Sequence, residues 1–130
     1  MSDTSTRPDV ELRLPADSAF ASVLRTTTAG LAARLDFTID DIEDLRIAVG
    51  EANAMVLEHA DAGSDLTCGF HLSPGQMTVT IRADAAGNPV PDLDSFAWQV
   101  LDTLASSADI ESADGHISIT MTMTSSALGG

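Results

Sequence analysis

Four stretches of the chain alternate apolar and polar residues one by one, and this period limits the available folds more than any other feature. Val10, Leu12 and Leu14 are separated by Glu11 and Arg13, and Leu66, Cys68, Phe70 and Leu72 by Thr67, Gly69 and His71. Met77, Val79 and Ile81 are separated by Thr78 and Thr80, and Ile117, Ile119, Met121 and Met123 by Ser118, Thr120 and Thr122. Successive side chains of a strand point to opposite faces, so each stretch has one apolar and one polar face. Strands of this kind belong to an antiparallel or mixed sheet covered on one side only. Ser73-Pro74-Gly75 reads as a hairpin turn between the second and third strands. Thr78, Thr80, Thr120 and Thr122 are then expected on the bare face.

Three other segments have the helical period. Their spacing predicts helices over 18–35, 40–60 and 95–106. The first is capped by Asp17 or Ser18 and carries Phe20, Val23, Leu24, Leu31 and Leu35 on its apolar side. Thr38 caps the second, with Asp40 and Asp41 in the first turn, where the helix dipole favours negative charge. Its stripe is Ile42, Leu45, Ala48, Val49, Ala52 and Val56. The third carries Phe96, Val100, Leu101 and Leu104. The expected fold is α/β (α+β), a two-layer sandwich with a four-stranded mixed sheet and three helices on one face. A chain of 130 residues suits one domain, expected over 10–124, between a flexible arm at 1–9 and a loose tail at 125–130.

Charge narrows the functions. Twenty acidic residues against 6 basic ones give −14, and all the basic residues are arginine. Such a surface repels phosphate backbones and anionic lipids, so neither nucleic acid nor membrane is an expected direct partner. A basic protein surface is. Cys68 is the only cysteine and reads as a buried strand thiol, while His59, His71 and His116 lack metal-ligand spacing, so no metal site is expected. The opening MSDTSTRPD is polar, and no stretch is long and apolar enough to span a bilayer; the expected location is the cytoplasm.

Glu51 is the most informative carboxylate. It lies about 130° from the middle of its helix's apolar stripe and is not a core residue. By position alone it is a solvated acid; the alternative is a general base or a ligand of a metal-bound water on the helix flank.

The run Leu35–Ala60, LDFTIDDIEDLRIAVGEANAMVLEHA, resembles the motif-bearing segment of the bacterial anti-sigma-factor serine kinases of the GHKL ATPase superfamily. Their pattern is an acidic helix start followed by a run like A-V-S-E-A-x-x-N-A-x-x-H. Ala48-Val49-Gly50-Glu51-Ala52 matches without a gap, and His59 falls on the pattern's histidine. The element order is also similar, over residues 10–124. The resemblance implies the histidine-kinase-like ATPase fold, with Glu51 as catalytic base and Asp84 reading adenine. It further implies that Arg25 is a sigma-contacting arginine of the first helix; read without it, Arg25 is a surface residue paired with a neighbouring acid.

The departures from the pattern are as telling. Met55 stands where the family's asparagine holds magnesium, and a thioether is a poor ligand for a hard cation. Asn53 cannot replace it, because it points about 200° around the helix from Glu51. In the D-x-G-x-G motif Asp84 fits, but Ala86 and Asn88 occupy the glycine positions and Gly87 is one place off. Ser95-Phe96-Ala97 replaces the G-x-G that receives phosphate on bare backbone N–H groups. Ten residues separate Asp84 from Ser95, stiffened by Pro89 and Pro91, where the family folds a long lid. The stretch Ser95-Phe96-Ala97-Trp98-Gln99-Val100-Leu101 is similar to an actinobacterial branch of the family whose nucleotide motifs are also eroded.

Together these features predict a pseudokinase whose Glu51, Asp84 and Gly87 are vestiges of an ATP site, with no cofactor required. The expected function is sequestration of a stress- or sporulation-type sigma factor, released by a STAS-type anti-sigma antagonist. The resemblance also allows a homodimer through the sheet. The residues also allow two other readings. One is an active ATP- and magnesium-dependent serine kinase phosphorylating its antagonist. The other takes Asp94-Ser95-Phe96 as the phosphopantetheine site of an acyl carrier protein, which four strand signals oppose because carriers are all-helical.

Overall fold

The computed structural model describes residues 7–126. The elements run β1 (Val10–Pro15), a 3-10 turn (Ser18–Phe20), α1 (Ala21–Ala32), α2 (Ile39–His59), β2 (Asp65–Ser73), β3 (Gln76–Asp84), α3 (Phe96–Leu104), β4 (Ser107–Ala113) and β5 (His116–Thr124). The sheet order is β1-β2-β3-β5-β4.

The sheet departs from expectation in two linked ways. It has five strands rather than four, and every neighbouring pair is antiparallel rather than mixed. The additional strand, β4, reverses the chain after α3, so β5 runs antiparallel to β3 instead of crossing over parallel to it. Ser107–Ala113 carries one large apolar residue, Ile110, between Asp109 and Glu111. An edge strand has one neighbour and tolerates such charge, which blunts its free edge. The β4–β5 turn is Asp114-Gly115, with φ of 55° and 79°, the pair of positive values that a type I′ hairpin demands.

The alternation set the inner face correctly. Phe70, Met77, Val79, Ile81, Ile119 and Met121 are buried. The polar alternates face the uncovered side, where Thr78 and Thr122 hydroxyls lie 3.0 Å apart and those of Thr80 and Thr120 3.3 Å apart. The helices cover the other face, with Leu45, Val49, Ala52 and Val56 of α2 fully buried.

The helix limits also shift. The segment expected to be helical over 18–35 opens as a 3-10 turn, capped by Asp17 Oδ1 accepting from Ala19 N–H at 2.9 Å, and α1 proper ends at Ala32. Its buried stripe is Leu24, Thr28 and Ala32, while Phe20 and Val23 are exposed. Thr28 is accommodated because its hydroxyl donates to the Leu24 carbonyl at 2.8 Å. Thr38 caps α2 as expected, in a reciprocal box with Asp41. Phe96, one of the apolar residues that give the third helix its period, is 78% exposed.

Residues 1–6 of the expected arm and 127–130 of the expected tail lie outside the described residues. Closer in, Asp9 Oδ2 accepts from Leu72 N–H at 2.8 Å, and the Ser125 hydroxyl donates to the Asp36 carbonyl at 2.8 Å. Among the described residues, no helix is long and apolar enough to cross a membrane.

Candidate functional site

The middle helix, α2, packs against α1 on one side and α3 on the other. It therefore carries the residues on which any site must be built. Glu51 is half-buried on its flank, and Met55 faces inward at 6% exposure.

Arg25, on α1, lies across α2 at Gly50. A Cβ added to Gly50 would stand 3.5 Å from Arg25 Cδ and 3.8 Å from Nη1. The bare glycine thus seats the arginine stem beside Glu51's turn. Among the described residues no carboxylate forms an ion pair with Arg25, although the chain is rich in acids. Arg25 is half-buried and has charge to offer.

Met55 and Ser95 do come together. With Ala54, Glu58 and Ala97 they line a cavity of about 120 Å³ between α2 and the start of α3. Ligand pockets usually measure about 300–1,000 Å³. One of the first N–H groups of α3 is also in use, since Ser95 Oγ accepts from Trp98 N–H at 3.1 Å. Trp98 itself is half-buried against the core.

Asp84 lies elsewhere. It pairs with His116 across β3 and β5, and its Oδ1 sits 3.1 Å from His116 Nδ1 on the uncovered face of the sheet. The neighbours facing the helices are Ala83 and Ala85, both buried and without a polar side chain. Glu51 and Asp84 are therefore on opposite sides of the sheet. Gly87 occupies an exposed turn at φ 81°, with nothing near the place of a Cβ.

The short segment after β3 is fastened to its surroundings. Asp61 N–H donates to the Asp84 carbonyl at 2.8 Å, and Asp61 Oδ1 accepts from Ala86 N–H at 3.0 Å. Asn88 Oδ1 accepts from Gly115 N–H at 2.9 Å. These bonds hold the loop at the end of the sheet. Among the described residues no cluster of three potential metal ligands occurs.

No protein-family model matches the chain. It is 44% identical over 88 residues to the serine-protein kinase RsbW of Halalkalibacterium halodurans, covering 67% of this chain and 52% of that one. It is 32% identical over 111 residues to RsbW of Bacillus cereus, covering 83% and 64%. The chain is a relative of the RsbW serine-protein kinases. It spans between about half and two thirds of the length of those RsbW proteins. A solved structure of the RsbU and RsbW domains of a Mycobacterium tuberculosis protein superposes with a TM-score of 0.64 at 20% identity, over 90% of this chain and 33% of that one. This likeness shows the fold, which is the GHKL-like fold of an RsbW domain.

Sequence reasoning missed one feature of this RsbW relative. Phe96, Val100 and Leu104, read as the apolar residues of the third helix, line with Ile47 an open groove between α2 and α3. The period identifies an apolar face but not what covers it. A bulky apolar residue directly after the helix cap, as Phe96 is after Ser95, was the available signal.

Proposed function

We propose that this chain is an anti-sigma factor that acts by binding. It holds an alternative sigma factor away from RNA polymerase in the cytoplasm, and a STAS-type antagonist releases it. The observation that carries the reading is Arg25 seated over Gly50, half-buried and, among the described residues, without an ion-paired carboxylate. A guanidinium held in place can form a bidentate pair with a carboxylate of the sigma factor. The surrounding charge of −14 steers basic surfaces of a DNA- or polymerase-binding protein toward it.

The residues present do not fit ATP with magnesium. The metal position holds a thioether, the cavity beside it is small, the α3 N-terminus is self-capped, and Asp84 faces away from α2. Release then depends on competition by the antagonist rather than on its phosphorylation by this chain. A second reading, an active serine kinase, is favoured by the name its relatives carry. It would require the loop after Asp84 to come free of Asp61 and Gly115.

The test is Arg25→Ala against the organism's alternative sigma factors, reading affinity and sigma-dependent transcription. Losing a partly buried charged pair costs about 2–5 kcal/mol, roughly 30-fold or more in affinity. A loss below about threefold, with repression intact, would remove Arg25 from the contact.

A further inference from the structure

We propose that the groove between α2 and α3 docks an amphipathic helix with basic flanks from a partner protein. The groove has a volume of about 440 Å³ and is open to solvent. Phe96, Val100 and Leu104 recur one turn apart along one wall, and Ile47 forms the other. Phe96 is 78% exposed and Ile47 46%. Groups this large gain from burial, and nothing in the described chain covers them. The short loop after β3 is tied back to Asp61 and Gly115 and leaves the groove uncovered.

Charge selects the occupant. At about 100° per residue, Asp40, Glu43, Asp44, Glu51 and Glu58 fall within a roughly 100° arc centred on Ile47. The exposed stripe of α2 is therefore acidic along its whole length. Glu43 contacts Arg46 at 3.5 Å and Glu58 contacts His59 at 3.6 Å. Among the described residues Asp40, Asp44 and Glu51 have no cationic partner. A second copy of the chain would bring this stripe against another of the same sign. A helix with Leu or Ile at helical spacing and Lys or Arg beside them would fill the groove and pair the acids. At 1.5 Å per residue the wall formed by the nine residues of α3 accommodates roughly two and a half turns.

This inference stands apart from the sigma-factor reading. Arg25 lies on the α1 side of α2, and the groove on the α3 side. The partner is defined by chemistry alone.

The experiment titrates the full chain into a labelled synthetic peptide of leucine and lysine with leucines at helical spacing. A scrambled peptide of identical composition serves as the charge control. Fluorescence anisotropy should give binding at least about tenfold tighter for the helical order. Phe96→Ser and Ile47→Ser, both at exposed positions, should each weaken it about tenfold. Asp109→Asn with Glu111→Gln, on the uncovered face of the sheet, should change it less than about twofold. Equal binding of the scrambled peptide would overturn the proposal, as would indifference to Phe96→Ser and Ile47→Ser. Sedimentation showing a dimer that Phe96→Ser dissociates would also overturn it, assigning the groove to a second copy.

Discussion

Arg25 lies across Gly50, its Cδ 3.5 Å from the point at which a Gly50 Cβ would stand. That distance is ordinary van der Waals contact, so alanine fits without moving the arginine. Glycine inside a helix costs about 1 kcal/mol relative to alanine. Gly50→Ala should therefore raise stability by up to about 1 kcal/mol in thermal melts and leave sigma-factor affinity unchanged. Gly50→Leu puts a branched chain into the seat and should weaken sigma binding about as much as Arg25→Ala. Unchanged affinity in Gly50→Leu would show that the seat does not matter.

The α2 cap links stability to acid. Desolvation pushes the Asp41 carboxyl up, but hydrogen bonds from the Ser126 and Thr38 backbones and from both hydroxyls hold it below its ordinary value of 3.8. The folded state thus favours the ionised form. That contribution is fully present above pH 3.8 and disappears as pH falls through the depressed value. Thr38→Ala should cost about 1 kcal/mol near neutrality. Asp41→Asn should flatten stability against pH below about pH 4 in urea melts. An unchanged acid limb would contradict the assignment.

Cys68 gives a prediction at the other end of the pH scale. Burial pushes its thiol from 9.0 to about 12. Between those values the unfolded chain has lost a proton that the folded chain retains. Stability should fall as pH rises through this window, by at most about 1.4 kcal/mol per unit from this group. Cys68→Ala should remove that slope. The native thiol should also resist a thiol reagent at neutral pH until the chain unfolds. Rapid labelling of the folded protein would contradict its burial.

How much of this was legible in the sequence depends on what each residue has for neighbours. Met77, Val79 and Ile81 read clearly because a covered central strand must alternate. The same alternation, continued, puts Ala83 inside and Asp84 outside, although motif spacing alone assigned Asp84 to the nucleotide side. β4 was missed because an edge strand needs little apolar surface, although Asp114-Gly115 marked its turn. Phe20, Val23 and Phe96 are exposed although they share the helical period, because the period reports a face and not its cover. Arg25's seat required the structure, since it depends on two helices meeting at a residue without a side chain.

Nucleotide binding should be weak. The thioether of Met55, the cavity of about 120 Å³ and the capped start of α3 each oppose it. Calorimetry with ATP and magnesium should show no micromolar dissociation constant. Met55→Asn alone should not restore one, because Ser95, Ala97 and the short loop remain. Micromolar binding by the unmodified chain would return the kinase reading to first place.

Sequestration of a sigma factor as proposed should need no nucleotide. The direct measurement is the affinity of the purified chain for the organism's alternative sigma factors, with and without saturating ATP and magnesium. A stable complex should form with one of them, with the same dissociation constant in both conditions. A complex that forms only with ATP and magnesium, or no complex with any sigma factor, would contradict the proposal.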